Sequence, residues 1–145
     1  MQLQRYTYKT NKDFLDYEFN SVGPKGQIMK VVRFTQISSD IFNLGFGDLD
    51  KKTGDISDII VTNNNDSRKV LATVAATVHD FTLHYPDVWI VAKGSTHSRN
   101  RLYRMGITNH WAEIRSEFEV FGLKDDTWEA FETRRDYSAF LLRRK

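Results

Sequence analysis

The stretch DSRKVLATVAATVHDFTLHYPDVWIVAKGST, residues 66–96, decides the fold. From Asp66 to Tyr85 the apolar residues Val70, Leu71, Val74, Ala75, Val78, Phe81 and Tyr85 recur at three- and four-residue spacings, which is one stripe of an amphipathic helix. Asn65, Asp66 or Ser67 offers a cap at its start, and Pro86 stands just past its end. Ala72 and Ala76 beside the stripe would allow close approach to a sheet. The next run, VWIVA at 88–92, is continuously apolar and of strand length, so a central strand buried on both faces is expected. Strand, long helix and strand form a right-handed crossover between parallel neighbours. The expected parallel partner of Val88–Val91 is Ile56–Val61, with helix Ser67–His84 packed across the sheet.

Working outward, the first half reads as a meander of four strands. YEFNSV (17–22) and QIMKVVRFTQI (27–37) flank the turn residues Gly23-Pro24 and Gly26, and IFNLGFGDL (41–49) and ISDIIVTN (56–63) flank DKKTGD, in which Gly54 tolerates positive φ. After residue 92, Ser95, Thr96 or Ser98 can cap a short helix that runs to about Met105, with Gly106 as the residue beyond its end. NHWAEIRSEF (109–118) reads as another short helix. FEVFG (118–122), the turn LKDDT (123–127), WEAF (128–131) and YSAFLLRRK (137–145) close the chain as antiparallel strands, with Tyr137, Ala139 and Leu141 expected on one face. The sum is an α+β fold: one domain over residues 1–145 with a mixed, mostly antiparallel sheet.

The bulk composition agrees with one globular domain. The chain has 145 residues, 40% of them hydrophobic and 13% aromatic, enough for a sizeable core without staples. There is no cysteine, which excludes a disulfide framework, a thiol nucleophile and Cys-ligated metal. The N-terminus shows no apolar signal segment and no window reaches membrane-span length, so a soluble, cytoplasmic protein without membrane partners is expected. A net charge of +2 is too small to announce nucleic-acid binding, so the distribution of charge matters more than its total.

That distribution singles out residues 92–108, where Lys93, Arg99, Arg101 and Arg104 surround Gly94-Ser95-Thr96 without an acid. A loop at the carboxyl end of a central strand, leading into a helix, is where open α/β sheets bind ligands, and free amides there favour an anion. At about 100° per residue, Arg101 and Arg104 share a helix face while Arg99 points away. Gly94, Ser95, Thr96, Arg101 and Arg104 are therefore the candidate anion site. The alternative is a plain N-cap followed by a solvated basic face.

Other constellations are weaker. His79, His84, His97 and His110 contain no HExxH pattern, and no metal site is expected. Asp48, Asp50, Asp55 and Asp58 read as a hairpin rim and not a calcium loop, since Lys51 and Lys52 stand at ligand positions. No Gly-x-Ser-x-Gly elbow is present, and Ser95 has no assignable base. Tyr103 beside Arg101 and Arg104, or Trp128 near Arg134, would suit stacking on nucleobases, which leaves nucleic acid open as a partner.

Two resemblances follow from particular words of the sequence. KVLATVAATVHDF, YPDVWIVAKGST, RLYRMGI, FEVFG and AFLLRRK resemble an uncharacterised bacterial family, a domain of unknown function, over about Tyr17 to Lys145; it implies no activity. Separately, the order of elements and Leu102-Tyr103-Arg104-Met105-Gly106-Ile107 resemble the N-acetyltransferases, which would imply Tyr103 as general acid. Their glycine-rich pyrophosphate cradle has no counterpart in NNNDSRKV, where Asp66 would repel phosphate.

Three functions are thus in play. The first is a binding or interaction module, without cofactor, that receives a phosphate-bearing ligand or an acidic protein partner at the basic loop. The second is an acetyltransferase-like enzyme with atypical cofactor binding. The third is a component of a small bacterial toxin–antitoxin-like two-gene system. Whether a reaction is catalysed stays open, and the residues favour binding over catalysis.

Overall fold

The turn residues at 23–26 act as their types require: Gly23 faces Gly26 across a tight hairpin, and Gly26 takes a φ of +87°. The computed structural model describes residues 4–57, 62–94 and 96–145. Among these, the strands are β1 (Lys9–Thr10), β2 (Asp16–Gly23), β3 (Gly26–Ser38), β4 (Ile41–Asp48), β5 (Trp89–Ala92), β6 (Phe118–Lys124), β7 (Thr127–Ala130) and β8 (Ala139–Arg144). The helices are α1 (Ser67–His84), α2 (His97–Asn109) and α3 (Trp111–Glu117). All eight strands join one sheet in the order β1-β2-β3-β4-β5-β8-β6-β7. Only β4 and β5 pair in parallel, so the fold is α+β on a mixed, mostly antiparallel sheet.

Helix α1 covers Ser67–His84, the span that the apolar spacing predicts. It is fastened to the sheet by Phe81, whose ring stacks on Phe34 at 4.0 Å and meets Phe42 edge-on at 5.2 Å. Three threonines on the buried side, Thr73, Thr77 and Thr82, turn their hydroxyls back onto the carbonyls of Lys69, Val74 and Val78. These groups are therefore satisfied inside the helix. A strap of N-terminal residues crosses α1: the Tyr6 N–H donates to Thr73 Oγ1 at 2.8 Å, its hydroxyl donates to Asp66, and the Tyr8 hydroxyl donates to Asp80.

The chain enters α1 through a buried polar knot. Lys30, 1% exposed, donates to Asp48 and to the Thr62 carbonyl at 2.7 Å, while the Thr62 N–H donates to Asp48 at 3.1 Å. Asn64, also 1% exposed, donates to Ser21 and the Gly26 carbonyl and accepts from the Lys25 N–H. Asp66 accepts from Tyr6 and Ser21, and its side chain makes no capping bond to α1.

Four sequence expectations are corrected. The parallel partner of β5 is β4, through Ile41–Trp89, Phe42–Ile90 and Asn43–Val91, and not Ile56–Val61. After β4 the chain turns back at once: Leu49 bridges Ile56, and the Ser57 N–H donates to the Asp48 carbonyl. Ile56 is thereby pressed onto Gly45 and Gly47 of β4, and residues 58–61 lie outside the described residues. Second, β5 is not buried on both faces. Ile90 and Ala92 are buried but Trp89 and Val91 only partly, because α1, α2 and α3 all meet the same sheet face. On the other face Trp89 contacts Phe121 and lies under the Arg143 guanidinium.

Third, Gly106 does not end a helix. It lies inside α2, where a side chain would reach Leu71 of α1 at 3.3 Å; its lack of a Cβ lets the two helices approach closely. Fourth, the meander has an extra edge strand, β1, that apolar alternation could not reveal because both its residues are exposed. In the last strand, Phe140 and Leu142 are buried with Ala139, while Leu141 is half-buried.

Candidate functional site

Gly94, just past the end of β5, is in a buried position whose missing side chain is used for packing. A Cβ there would come within 2.5 Å of Arg99 Cβ and 2.6 Å of the Asn100 nitrogen, and the Gly94 N–H donates to Asn100 Oδ1 at 2.7 Å. Ser95 lies outside the described residues. Thr96 is the N-cap of α2, its hydroxyl accepting from the Arg99 N–H at 3.2 Å. Arg99 turns inward, 8% exposed, and donates to the Ser57 carbonyl, tying the return of the β4 hairpin to the start of α2.

Arg101 and Arg104 come together on the outer side of α2. With His97, Asn100, Asp136 and Tyr137 they line a hollow of about 180 Å³. Arg104 is ion-paired with Asp136, whose side chain is 78% exposed. Among the described residues no acid pairs with Arg101. The hollow is thus a small polar depression with two guanidiniums and one largely solvated carboxylate.

The opposite side of α2 faces a larger space. A cleft of about 510 Å³ opens between the three helices and the sheet. Its floor is Leu44, Ala92, Phe140 and Leu142; its walls include Val74 and Val78 of α1 and Ile107 and Ile114 of α2 and α3. Tyr103 forms part of the lining, 8% exposed, and burial pushes its phenol up to about 12, against the Arg99 guanidinium and the backbone of Phe46. It is therefore protonated at neutral pH.

Polar groups gather at the mouth of this cleft. Tyr8 donates to Asp80 Oδ2, and the phenol is held well above its usual range, by burial first and then by that carboxylate. His79 Nδ1 lies 3.1 Å from Glu117 Oε2, both side chains being roughly half exposed (44% and 47%). Arg5, exposed, sits over the Tyr8 ring.

Sequence reasoning placed the basic residues of α2 but missed the cleft and Tyr8, His79, Asp80 and Glu117. The available signal was the small residues: Ala75 of α1 and Gly106 of α2 both line the cleft and leave it room. The polar mouth gave no such signal, since Tyr8 and Asp80 stand 72 residues apart.

The histidines disperse. His84 stacks on Phe14 at 3.6 Å, His97 is at the hollow, and His110, 5% exposed at the α2–α3 corner, has an Nε2 without a hydrogen-bond partner. Burial pushes the His110 imidazole down, against the nearby Glu113 carboxylate. Among the described residues no three His, Cys, Asp or Glu side chains are grouped to hold a metal ion. Among them, too, no helix is long and apolar enough to cross a membrane.

No curated protein and no solved structure matches the chain, and the likeness to N-acetyltransferases is not confirmed by either comparison. The model of a family of unknown function (DUF6934) does match, from residue 2 to residue 145. That match takes in the helix α1, the basic loop and every residue of both depressions, and the chain belongs to this family.

Proposed function

We propose that the protein is a small-molecule-binding domain and that its site is the cleft between α1, α2, α3 and the sheet. The observation that carries this is the cleft itself: about 510 Å³, with an apolar floor of Leu44, Ala92, Phe140 and Leu142 and a few polar side chains, among them the buried Tyr103 and the more exposed Asp80 and Glu117. Ligand pockets run from about 300 to 1,000 Å³ and share that division of apolar body and few polar groups. Octanol, as a neutral probe, tests the reading through the methyl resonances of Val74, Ile107 and Ile114. Saturable shifts at millimolar octanol, abolished by Ala75→Trp, which fills the cleft from α1, are expected. If none of these methyls moves, the reading falls.

A second reading is favoured by the convergence of Arg101 and Arg104 with His97 and Asn100 on one hollow. That arrangement suits a phosphate group of a ligand or an acidic partner, because guanidiniums present forked donors to such oxygens. Asp136 is solvated enough that its pair with Arg104 opens at little cost. Binding there would weaken with salt. A phosphate titration that shifts the amides of residues 96–104, and does not after Arg101→Gln with Arg104→Gln, supports it; unmoved amides at millimolar phosphate refute it.

A further inference from the structure

We infer that the cleft selects a primary amine with an apolar body: its ligand carries an ammonium at the mouth and hydrocarbon within. The inference rests on the cleft being a ligand site. Its added observation is the state of two carboxylates at the mouth.

Asp80 uses Oδ2 to accept from Tyr8, and Glu117 uses Oε2 against His79. Asp80 and Glu117 both line the cleft, and among the described residues no protein donor is found for Asp80 Oδ1 or Glu117 Oε1. A carboxylate oxygen accepts hydrogen bonds and donates none, so the chemistry left unanswered at the mouth is that of a donor. An ammonium brings three donors and a positive charge. The hydroxyl of an alcohol brings one donor, and a carboxylate brings none and adds like-charge repulsion.

Of the cationic side chains nearby, Arg5 lines the cleft and lies over the Tyr8 ring at 5.3 Å. Arg144 is not part of the cleft lining; it points at α1, donating to the His79 carbonyl at 3.1 Å and to Thr82 Oγ1 at 2.9 Å, and its Nη2 lies 3.3 Å from His79 Nδ1. Tyr8 stays a neutral donor to Asp80, because its phenol is held protonated by burial and by that same acid. Below the mouth, Val78, Ile114, Leu142 and Phe140 offer only hydrocarbon, so the part of the ligand behind the ammonium is apolar.

The experiment compares octylamine, octanol and octanoate on the intact chain by the same methyl resonances. Octylamine is expected to bind about fivefold tighter than octanol, since half-exposed ion pairs each contribute a factor of roughly two or three. Octanoate is expected to bind weakest. Lengthening the amine from hexyl to octyl should tighten binding about fourfold per methylene while the cleft has room. Asp80→Asn with Glu117→Gln should erase the preference for the amine, so that octylamine and octanol bind the double variant alike. If octanol binds but the amine shows no advantage, or octanoate binds best, the inference is overturned and the ligand site stands. If none of the three binds, both are overturned. If the double variant keeps the amine preference, the carboxylates are not its source and the inference is likewise overturned.

Discussion

Lys30→Met should be among the most destabilising single changes in the chain. The ammonium of Lys30 is 1% exposed and Asp48 presents 12% of its side chain to solvent, so the pair sits in the interior between β3 and β4. Removing the cation leaves the Asp48 carboxylate buried with the Thr62 N–H as its remaining donor, and leaves the Thr62 carbonyl without the Lys30 donor. Breaking a buried pair in this way costs about 3–5 kcal/mol, chiefly through the uncompensated charge. For a chain of this size each kcal/mol lowers Tm by about 2–4 °C, so a drop of about 10 °C is expected. Urea denaturation followed by circular dichroism gives the free energy directly. Asp48→Asn in the Lys30→Met background removes the charge while keeping an acceptor for Thr62, and should recover at least about 1 kcal/mol. A loss under about 1 kcal/mol in Lys30→Met, or a double variant no better than the single one, would refute the argument that charge burial holds residues 62–66 in place.

Phe81→Ala should cost about 3–5 kcal/mol by denaturant unfolding, because it empties the stack on Phe34 and the edge contact with Phe42 that join α1 to the sheet. Gly94→Ala should cost about 1–3 kcal/mol, since its Cβ meets Arg99 and Asn100 backbone-side atoms at 2.5 and 2.6 Å; an unchanged Tm would show that α2 can slide away freely. His110 has its folded-state pKa below the ordinary 6.5, so the unfolded chain binds the extra proton and stability falls as pH drops from about 6.5 through the folded value. His110→Gln should flatten that part of the profile between pH 7.5 and 5, and equal slopes in the two proteins would rule His110 out as its cause.

The long helix was legible because its signal is local. Three- and four-residue spacing over Val70 to Phe81 is set by the helix itself, and Pro86 marks where it must stop. The strand Trp89–Ala92 was legible as a parallel, central element for the same reason. Its neighbour was not. Residues 41–48 and 56–61 are both apolar runs of strand length, and the choice between them depends on how tightly the chain turns after Asp48 and on Ile56 settling over Gly45 and Gly47. Along α2, rotation per residue separates the inward Arg99 from the outer Arg101 and Arg104, and the structure places them so. The acid that meets Arg104 is 32 residues further on and no local rule could name it. The cleft is harder still, since its floor comes from β4, β5 and β8 and its mouth from α1, α3 and the N-terminal strap.

The threonines of α1 bear on the order in which the molecule assembles. Val70, Thr73, Val74, Thr77, Val78 and Thr82 are β-branched, a class that favours extended backbone, and the helix begins without a side-chain cap. A peptide of residues 66–85 in water should therefore be largely coil, whatever its amphipathic pattern. Its helicity is conferred by docking: Phe81 needs the rings of Phe34 and Phe42, and Thr73 needs the amide of Tyr6, 67 residues earlier in the chain. The meander β2–β4, joined by short hairpins, can form on its own contacts and offer the surface on which α1 winds up. The walls of the cleft, α1 above all, are then late arrivals in folding, and the concavity does not exist until the chain has nearly finished.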